Sequence, residues 1–203
     1  MKVDQDIQNA QNAEKIFNIN EVGNFHADQL SIFNASANEI SDRHSVMLSN
    51  DHYNLIVYGS EPWFDPNYNH NRNHLIFPRD RALTEDYYID SCLKARYSSF
   101  SPDAISELKT FFCIFAYENK RGRWTDPEQQ AAIGRLTEIK KRSNGIEIYF
   151  YPMFYVNQQR LNDFIFELGF IGNKGINELS HTHWTVKEID LFEVLRDNDL
   201  LSC

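Results

Sequence analysis

One short segment, residues 146–151, constrains the fold of this chain more than any other. It reads Ile-Glu-Ile-Tyr-Phe-Tyr, which is rich in β-branched and aromatic residues, and it follows the turn-forming pair Asn144-Gly145. Side chains alternate between the two faces of a strand, so Ile148 and Phe150 share one face. We therefore expect residues 146–151 to form the buried central strand of a sheet.

The segments on either side of this strand are predicted to be helices that pack on it. Residues 126–143 begin with a capping pattern, since Thr125 can accept from the amide of Glu128, and apolar residues then recur at helical spacing. Residues 157–168 carry a second helical pattern, which ends at Gly169. This alternation of strand and helix periods predicts a layered fold.

A last helix is predicted from a second capping pattern. Thr185 and Glu188 stand three residues apart at the start of an amphipathic segment, so we expect a C-terminal helix over residues 186–197. The sequence thus predicts an α/β or α+β fold: a small mixed sheet with central strand 146–151 packed by helices 126–143 and 157–168, plus a C-terminal helix 186–197.

Several shorter elements are predicted elsewhere. The β-branched run 54–58 predicts a buried strand, and Ser101-Pro102 can start a helix because proline is tolerated at the first helical position. Residues 111–117 are apolar throughout and fit either a helix or a strand. The remaining expectations are a strand at 75–77, a helix within 84–97, amphipathic helices within 1–20 and 27–40, and an irregular loop over 59–81.

The length of the chain, 203 residues, suits a single domain spanning 1–203, with residues 1–20 as a candidate mobile N-terminal extension. The three cysteines, Cys92, Cys113 and Cys203, are widely spaced, which argues against a disulfide scaffold and against a thiolate zinc site. The N-terminal residues include early acids, and no run approaches the roughly 18 apolar residues of a membrane span. We therefore expect a cytoplasmic protein that does not enter a membrane.

The formal net charge of −9 bears on the kind of partner. An acidic surface repels phosphate backbones and anionic lipid, which argues against nucleic acid and membrane partners. Two basic runs, at residues 120–123 and 140–142, are interpreted as solvated ends of elements. A protein partner or a homo-oligomer is the expectation that remains.

The segment Ser180-His181-Thr182-His183-Trp184 is the densest group of functional side chains in the sequence. His181 and His183 are two residues apart, so they point the same way if the segment is extended. We predict His181, His183 and Trp184 as binding residues. A purely structural role, with Trp184 in the core and the histidines holding a turn, is the alternative. No third ligand has a telling spacing, so we predict no metal and no cofactor, and we assign no catalytic residue.

The order of elements from 111 to 170 resembles the second half of GNAT-type N-acyltransferases. The match rests on an apolar run, a capped helix 126–143, the strand 146–151, and a helix that starts near Asn157 and ends in Leu-Gly-Phe at 168–170. The resemblance implies an acyl-CoA-dependent N-acyltransferase. The glycine-rich pyrophosphate pattern of that family is missing, and the acids Asp126 and Glu128 stand in the region where its phosphates would lie.

Three classes of function remain open. The class we favour is a non-enzymatic binding protein that acts through protein–protein contacts, like an immunity protein, an antitoxin or a subunit of a bacterial defence system. An acidic face suits a basic protein partner. The alternatives are the acyl-CoA-dependent N-acyltransferase and a metal-assisted hydrolase or nuclease that uses His181 and His183.

Overall fold

The computed structural model describes residues 48–59, 73–84, 88–172 and 175–201. All of them belong to the unit Met47–Cys203, since contacts within the chain divide it after Val46. The helices expected within 1–20 and 27–40, and most of the loop expected over 59–81, lie outside the described residues. The single domain over 1–203 with a mobile extension at 1–20 therefore stays a prediction.

A six-stranded mixed sheet organises the described part of the chain. In chain order its strands are β1 (Ser49–Val57), β2 (Asn73–Phe77), β3 (Phe111–Ala116), β4 (Gln130–Arg142), β5 (Gly145–Asn157) and β6 (His183–Lys187). Their order across the sheet is β2-β5-β4-β3-β1-β6. The neighbours β1 and β3 are parallel, and the other neighbouring pairs are antiparallel. The expected mixed sheet is confirmed, as are the strands at 54–58 and 75–77.

Four α-helices accompany the sheet among the described residues: α1 (Ser91–Tyr97), α2 (Pro102–Leu108), α3 (Gln158–Asp163) and α4 (Leu191–Asp197). Ser101 caps α2 by accepting from the amide of Ala104, as its sequence predicts. Asp90 and Asp190 cap α1 and α4 in the same way. The fold is of the small α+β class with a C-terminal helix, as expected. None of the described helices has the length and apolarity that a membrane crossing needs.

The helix predicted over 126–143 is wrong, because most of that segment is the strand β4. The prediction relied on Ile133, Leu136 and Ile139, whose spacing of three is helical in appearance. In the strand, Ile133 is buried on the face opposite to Leu136. A β-bulge at Thr137 then brings Leu136 and Ile139 onto the same face. Burial on both faces, together with a bulge, therefore imitates a helical period.

The other predicted boundaries also shift. Residues 146–151 form a buried strand as expected, but β5 lies next to the edge strand β2 and is not central. The helix predicted over 157–168 ends at Asp163 and continues as turns to Gly169. The helix predicted over 186–197 begins only at Leu191, because the segment before it belongs to β6.

The likeness to N-acyltransferases depended on a helix between two strands. That segment is β4, which joins β5 through a tight hairpin whose two-residue turn precedes Gly145. A side chain at Gly145 would place its Cβ 2.5 Å from the carbonyl oxygen of Phe77, so a glycine is required where β2 packs against the hairpin. The element that would hold acyl-CoA in that family is therefore replaced by a strand.

The core lies mainly on one face of the sheet. It combines aromatic and aliphatic side chains from the strands and from α1 and α2, including Phe115 stacked on Phe150 with 4.4 Å between ring centroids. Residues 111–117, which fitted either a helix or a strand, form the fully buried strand β3 and the residue after it. β3 is buried on both faces, which explains its unbroken apolar sequence.

Candidate functional site

The three predicted binding residues lie in different environments. Trp184 is buried, and its indole nitrogen donates to the side-chain oxygen of Asn54 at 3.0 Å. His183 is fully buried, whereas His181 is exposed. Both imidazole rings approach the ring of Tyr88, with centroid distances of 4.6 Å for His183 and 6.4 Å for His181. The segment therefore combines a structural part with one accessible imidazole, and its binding role stays a prediction.

His183 belongs to a buried group of ionisable side chains that we call the charged cluster: Glu178, His183 and Lys187. The Oε1 atom of Glu178 lies 3.0 Å from Nε2 of His183, and its Oε2 atom accepts from Nζ of Lys187 at 2.8 Å. The backbone amide of Ile171 donates to the same Oε2 atom at 2.8 Å. Glu178 itself has no solvent exposure. Three nitrogen atoms therefore surround one buried carboxyl, which gives it the polar partners that burial requires.

Both ring nitrogens of His183 have an oxygen partner inside the protein. Nδ1 lies 2.8 Å from the carbonyl oxygen of His181, which can only accept a hydrogen bond. Nε2 lies 3.0 Å from Oε1 of Glu178. The imidazole is therefore held between a backbone carbonyl and the buried carboxyl.

Burial shifts the pKa of Lys187, and it also shifts the pKa of Tyr53, which lies near Glu178. Desolvation lowers the pKa of Lys187, and the adjacent carboxylate of Glu178 opposes that decrease. Burial likewise raises the pKa of Tyr53, with Glu178 adding to the increase. The hydroxyl of Tyr53 donates to the carbonyl of Leu168 at 2.5 Å. The cluster is thus an electrostatic centre of the fold.

A cleft of about 400 Å³ opens beside the charged cluster, where β6 ends and α1 begins. Lys187 lines it, and Nζ of Lys187 also donates to the carbonyl oxygen of Tyr88 at 3.2 Å. The carboxyl groups of Asp90 and Glu188 lie in the same lining. A buried cation next to a concave space is a feature that binding and catalytic sites share.

Sequence reasoning missed two members of the charged cluster. Lys187 was placed in a helix, although His183, Thr185 and Lys187 alternate with Trp184 and Val186 as a strand requires. That alternation was the available signal. The sequence analysis assigns no role to Glu178, because the burial of this acid cannot be read from the residues around it.

A second buried polar group, the amide cluster, adjoins the charged cluster, because its member Asn177 directly precedes Glu178. Its members are the carboxamide side chains of Asn119, Gln158, Asn162 and Asn177. The side-chain nitrogen of Asn119 donates to the oxygens of Asn162 and Asn177, each at 2.9 Å. The nitrogen of Asn177 donates to the same oxygen of Asn162 at 2.6 Å. Gln158 bonds both backbone groups of Tyr117. All four side chains are buried.

The amide cluster holds a short turn, residues 121–124, which we call the Arg–Trp turn. Arg121 and Trp124 exchange two backbone hydrogen bonds, at 2.9 and 3.2 Å. Between them, Gly122 has a positive φ of 59°, and its carbonyl accepts from Asn119 at 2.9 Å. A Cβ at Gly122 would lie 2.1 Å from the carbonyl oxygen of Gly175. A glycine is therefore required at this close approach of two backbone segments.

The Arg–Trp turn presents a large aromatic side chain to solvent. Trp124 is 69% exposed, and Arg121 next to it is exposed as well. Arg123 reaches back to the carbonyl of Asn162 at 2.9 Å, and Lys120 forms an ion pair with Asp126. The basic run at 120–123, interpreted from the sequence as a solvated end, is therefore an ordered turn with one accessible guanidinium.

Among the described residues, no group of three or more His, Cys, Asp or Glu side chains is arranged to hold a metal ion. Both ring nitrogens of His183 already have partners within the protein. Comparisons with protein-family models, with curated proteins and with solved structures find nothing that matches this chain. The features of this chain that bear on its function are the two clusters, the cleft and the Arg–Trp turn.

Proposed function

We propose that this is a binding protein that recognises another protein through the Arg–Trp turn. The observation that carries the proposal is the 69% exposure of Trp124 on a turn that buried side chains hold in place. Tryptophan and arginine are the residues most enriched at the energetic centres of interfaces. A turn that is already ordered loses little conformational entropy when it binds.

The amide cluster supports a binding role for the Arg–Trp turn, because burying four carboxamides is energetically costly. Burying four carboxamides requires every donor and acceptor to find a partner, and an apolar core would be simpler to build. Two hydrogen bonds connect this network to the turn. Asn119 donates to the carbonyl of Gly122, and Arg123 donates to the carbonyl of Asn162. We infer that the network preserves the presentation of Trp124 and Arg121.

The chemistry of the turn describes the partner. An indole beside an exposed guanidinium fits an apolar socket with an acidic rim. The acidic remainder of the chain, with its net charge of −9, would repel a partner that is acidic over its whole surface. We therefore propose a folded protein partner with a local acidic patch, met in the cytoplasm. An immunity or antitoxin role is one form that such a binding protein could take.

The proposal is tested by affinity purification from the native host, comparing the wild type with Trp124→Ala and with a matched control, Tyr151→Ala. Tyr151 is also an exposed aromatic residue, at 58%, but lies on β5. We expect a specific protein to be retained by wild type and control and lost at least tenfold by Trp124→Ala, since central interface residues contribute about 2 kcal/mol or more. Thermal stability should not change in either variant.

Two outcomes would contradict the proposal. One is recovery of the same proteins by all three forms, because the turn would then have no role in binding. The other is recovery that disappears after nuclease treatment, which would make the turn a nucleic-acid contact with Trp124 stacking on bases. Arg121→Ala, with the exposed Arg196→Ala as its control, separates the guanidinium from the indole.

A further inference from the structure

The cleft beside the charged cluster is lined by residues of three chemical kinds. At about 400 Å³ it lies within the range of small-molecule sites, roughly 300–1,000 Å³. The lining contains one cationic residue, Lys187, two acidic residues, Asp90 and Glu188, and otherwise mainly aliphatic residues. The aliphatic residues are Ile89, Leu93, Ile171 and Val186.

The ammonium of Lys187 offers a donor to an anionic group. It carries three N–H bonds, and in the part of the chain that the structure describes two of them have acceptors, Glu178 and the carbonyl of Tyr88. Lys187 is only 7% exposed, so a third donor without a partner is costly. The positive charge of this ammonium attracts a carboxylate.

The two acidic residues favour the opposite charge. Asp90 caps α1, where one of its carboxylate oxygens accepts from the amides of Cys92 and Leu93. Glu188 directly follows β6 and is exposed. Their carboxylates favour a cationic group, whereas Lys187 favours an anionic one. A ligand that satisfies both kinds of residue must carry a negative and a positive charge.

We propose that this cleft binds a free α-amino acid with an apolar side chain. Its carboxylate accepts from Lys187, its ammonium faces Asp90 and Glu188, and its side chain packs on the aliphatic wall. This site is separate from the Arg–Trp turn, and it adds a small-molecule ligand to the proposed binding function. No covalent step is involved.

Three probes of nearly equal shape test the charges that the cleft requires. Isothermal titration with L-leucine, with isoamylamine, which lacks the carboxylate, and with 4-methylpentanoate, which lacks the ammonium, compares them directly. We expect leucine to bind at least about tenfold more tightly than either analogue, since each lost charge contact weakens binding. Equal or tighter binding of either analogue, or no detectable binding of leucine at millimolar concentration, would overturn the proposal.

Substitutions then connect the binding to this cleft. Asp90→Asn keeps a helix-capping side chain while it removes the charge, so α1 remains capped. Combined with Glu188→Gln it should weaken leucine binding about five- to tenfold. Glu193→Gln, an exposed carboxyl on α4, is the matched control and should bind as the wild type does. Unchanged binding by a correctly folded double variant also overturns the proposal.

The outcome is independent of the partner proposed above. Trp124→Ala alters the Arg–Trp turn and leaves the cleft intact, so it should bind leucine with the affinity of the wild type. A chain that loses its protein partner in this variant yet still binds leucine would support both proposals. A chain that binds its partner but not leucine would retain only the first.

Discussion

The amide cluster and the charged cluster meet at two consecutive residues, Asn177 and Glu178, yet they are built on different physical principles. The amide cluster is neutral and contains no group that titrates near physiological pH. The charged cluster contains a carboxyl, an imidazole and an ammonium, and both other groups lie within 3.0 Å of the carboxyl. One cluster holds a turn, whereas the other lines a cleft.

This difference in charge indicates a different role for each cluster. A neutral hydrogen-bond network fixes backbone geometry at any pH and creates no long-range field, which suits the presentation of Trp124 on a surface. A buried charge is a poor way to gain stability, because desolvation offsets the attraction between partners. Its retention beside a cleft is more easily understood if the charge acts on a ligand.

The largest effect that distinguishes the clusters should come from Glu178→Gln. This substitution keeps the size of the side chain but leaves Lys187 buried without a countercharge. Breaking a buried pair in this way costs about 3–5 kcal/mol, so the free energy of unfolding in urea should fall by that amount. Glu193→Gln on the surface should change it by less than about 0.5 kcal/mol. A loss below about 1 kcal/mol for Glu178→Gln would show that the cluster is not tightly coupled.

How far the sequence predicted the fold can be judged at β4 and β5. The strand within β5 was predicted because its alternation is regular over residues 146–151. β4 was mistaken for a helix because a bulge at Thr137 breaks its alternation and both of its faces are buried near Ile133. A local pattern cannot reveal a bulge, since the extra residue is defined by the partner strand.

The site was predicted less completely than the fold. The segment containing His183 was identified from its side chains, but Lys187 was assigned to the wrong element. The amide cluster gave no signal, because Asn119, Gln158 and Asn177 are far apart in the chain and polar residues of this type usually lie on the surface. Only the tertiary fold brings them together.

An intermediate effect is expected from Asn162→Ala in the amide cluster. This change removes the acceptor shared by Asn119 and Asn177, and it leaves several buried polar groups without partners. The expected loss is about 1–3 kcal/mol in the free energy of unfolding. Hydrogen exchange at residues 121–124 should also accelerate, because the turn depends on this network.

A matched control for this prediction is Asn50→Ala, at an exposed position in β1. It should change stability by less than about 0.5 kcal/mol and leave exchange in the turn unaffected. If Asn162→Ala destabilises the protein without faster exchange at the turn, the amide cluster stabilises the core in general and has no special connection with Trp124.

The smallest effect is a difference in pH dependence, and it separates the clusters most cleanly. Burial lowers the pKa of Lys187 below its unfolded value of about 10.4. At a pH between the folded and the unfolded pKa of Lys187, the unfolded chain binds more protons than the folded chain. Lys187 therefore makes the free energy of unfolding rise with pH. Loss of the Glu178 carboxylate removes an influence that raises the pKa of Lys187, so Glu178→Gln should lower that pKa further and extend the window downward.

The deficit of Glu178→Gln relative to the wild type should therefore shrink as the pH rises toward about 10, by at most about 1.4 kcal/mol per pH unit. The deficit of Asn162→Ala should stay constant, because carboxamides do not titrate. Measurements above about pH 10 are avoided because the raised pKa of Tyr53 lowers stability there. Urea unfolding of the three proteins across this range tests the difference. Deficits that run parallel in both variants would mean that Lys187 stays protonated throughout, and the charged cluster would then be as insensitive to pH as its neutral neighbour.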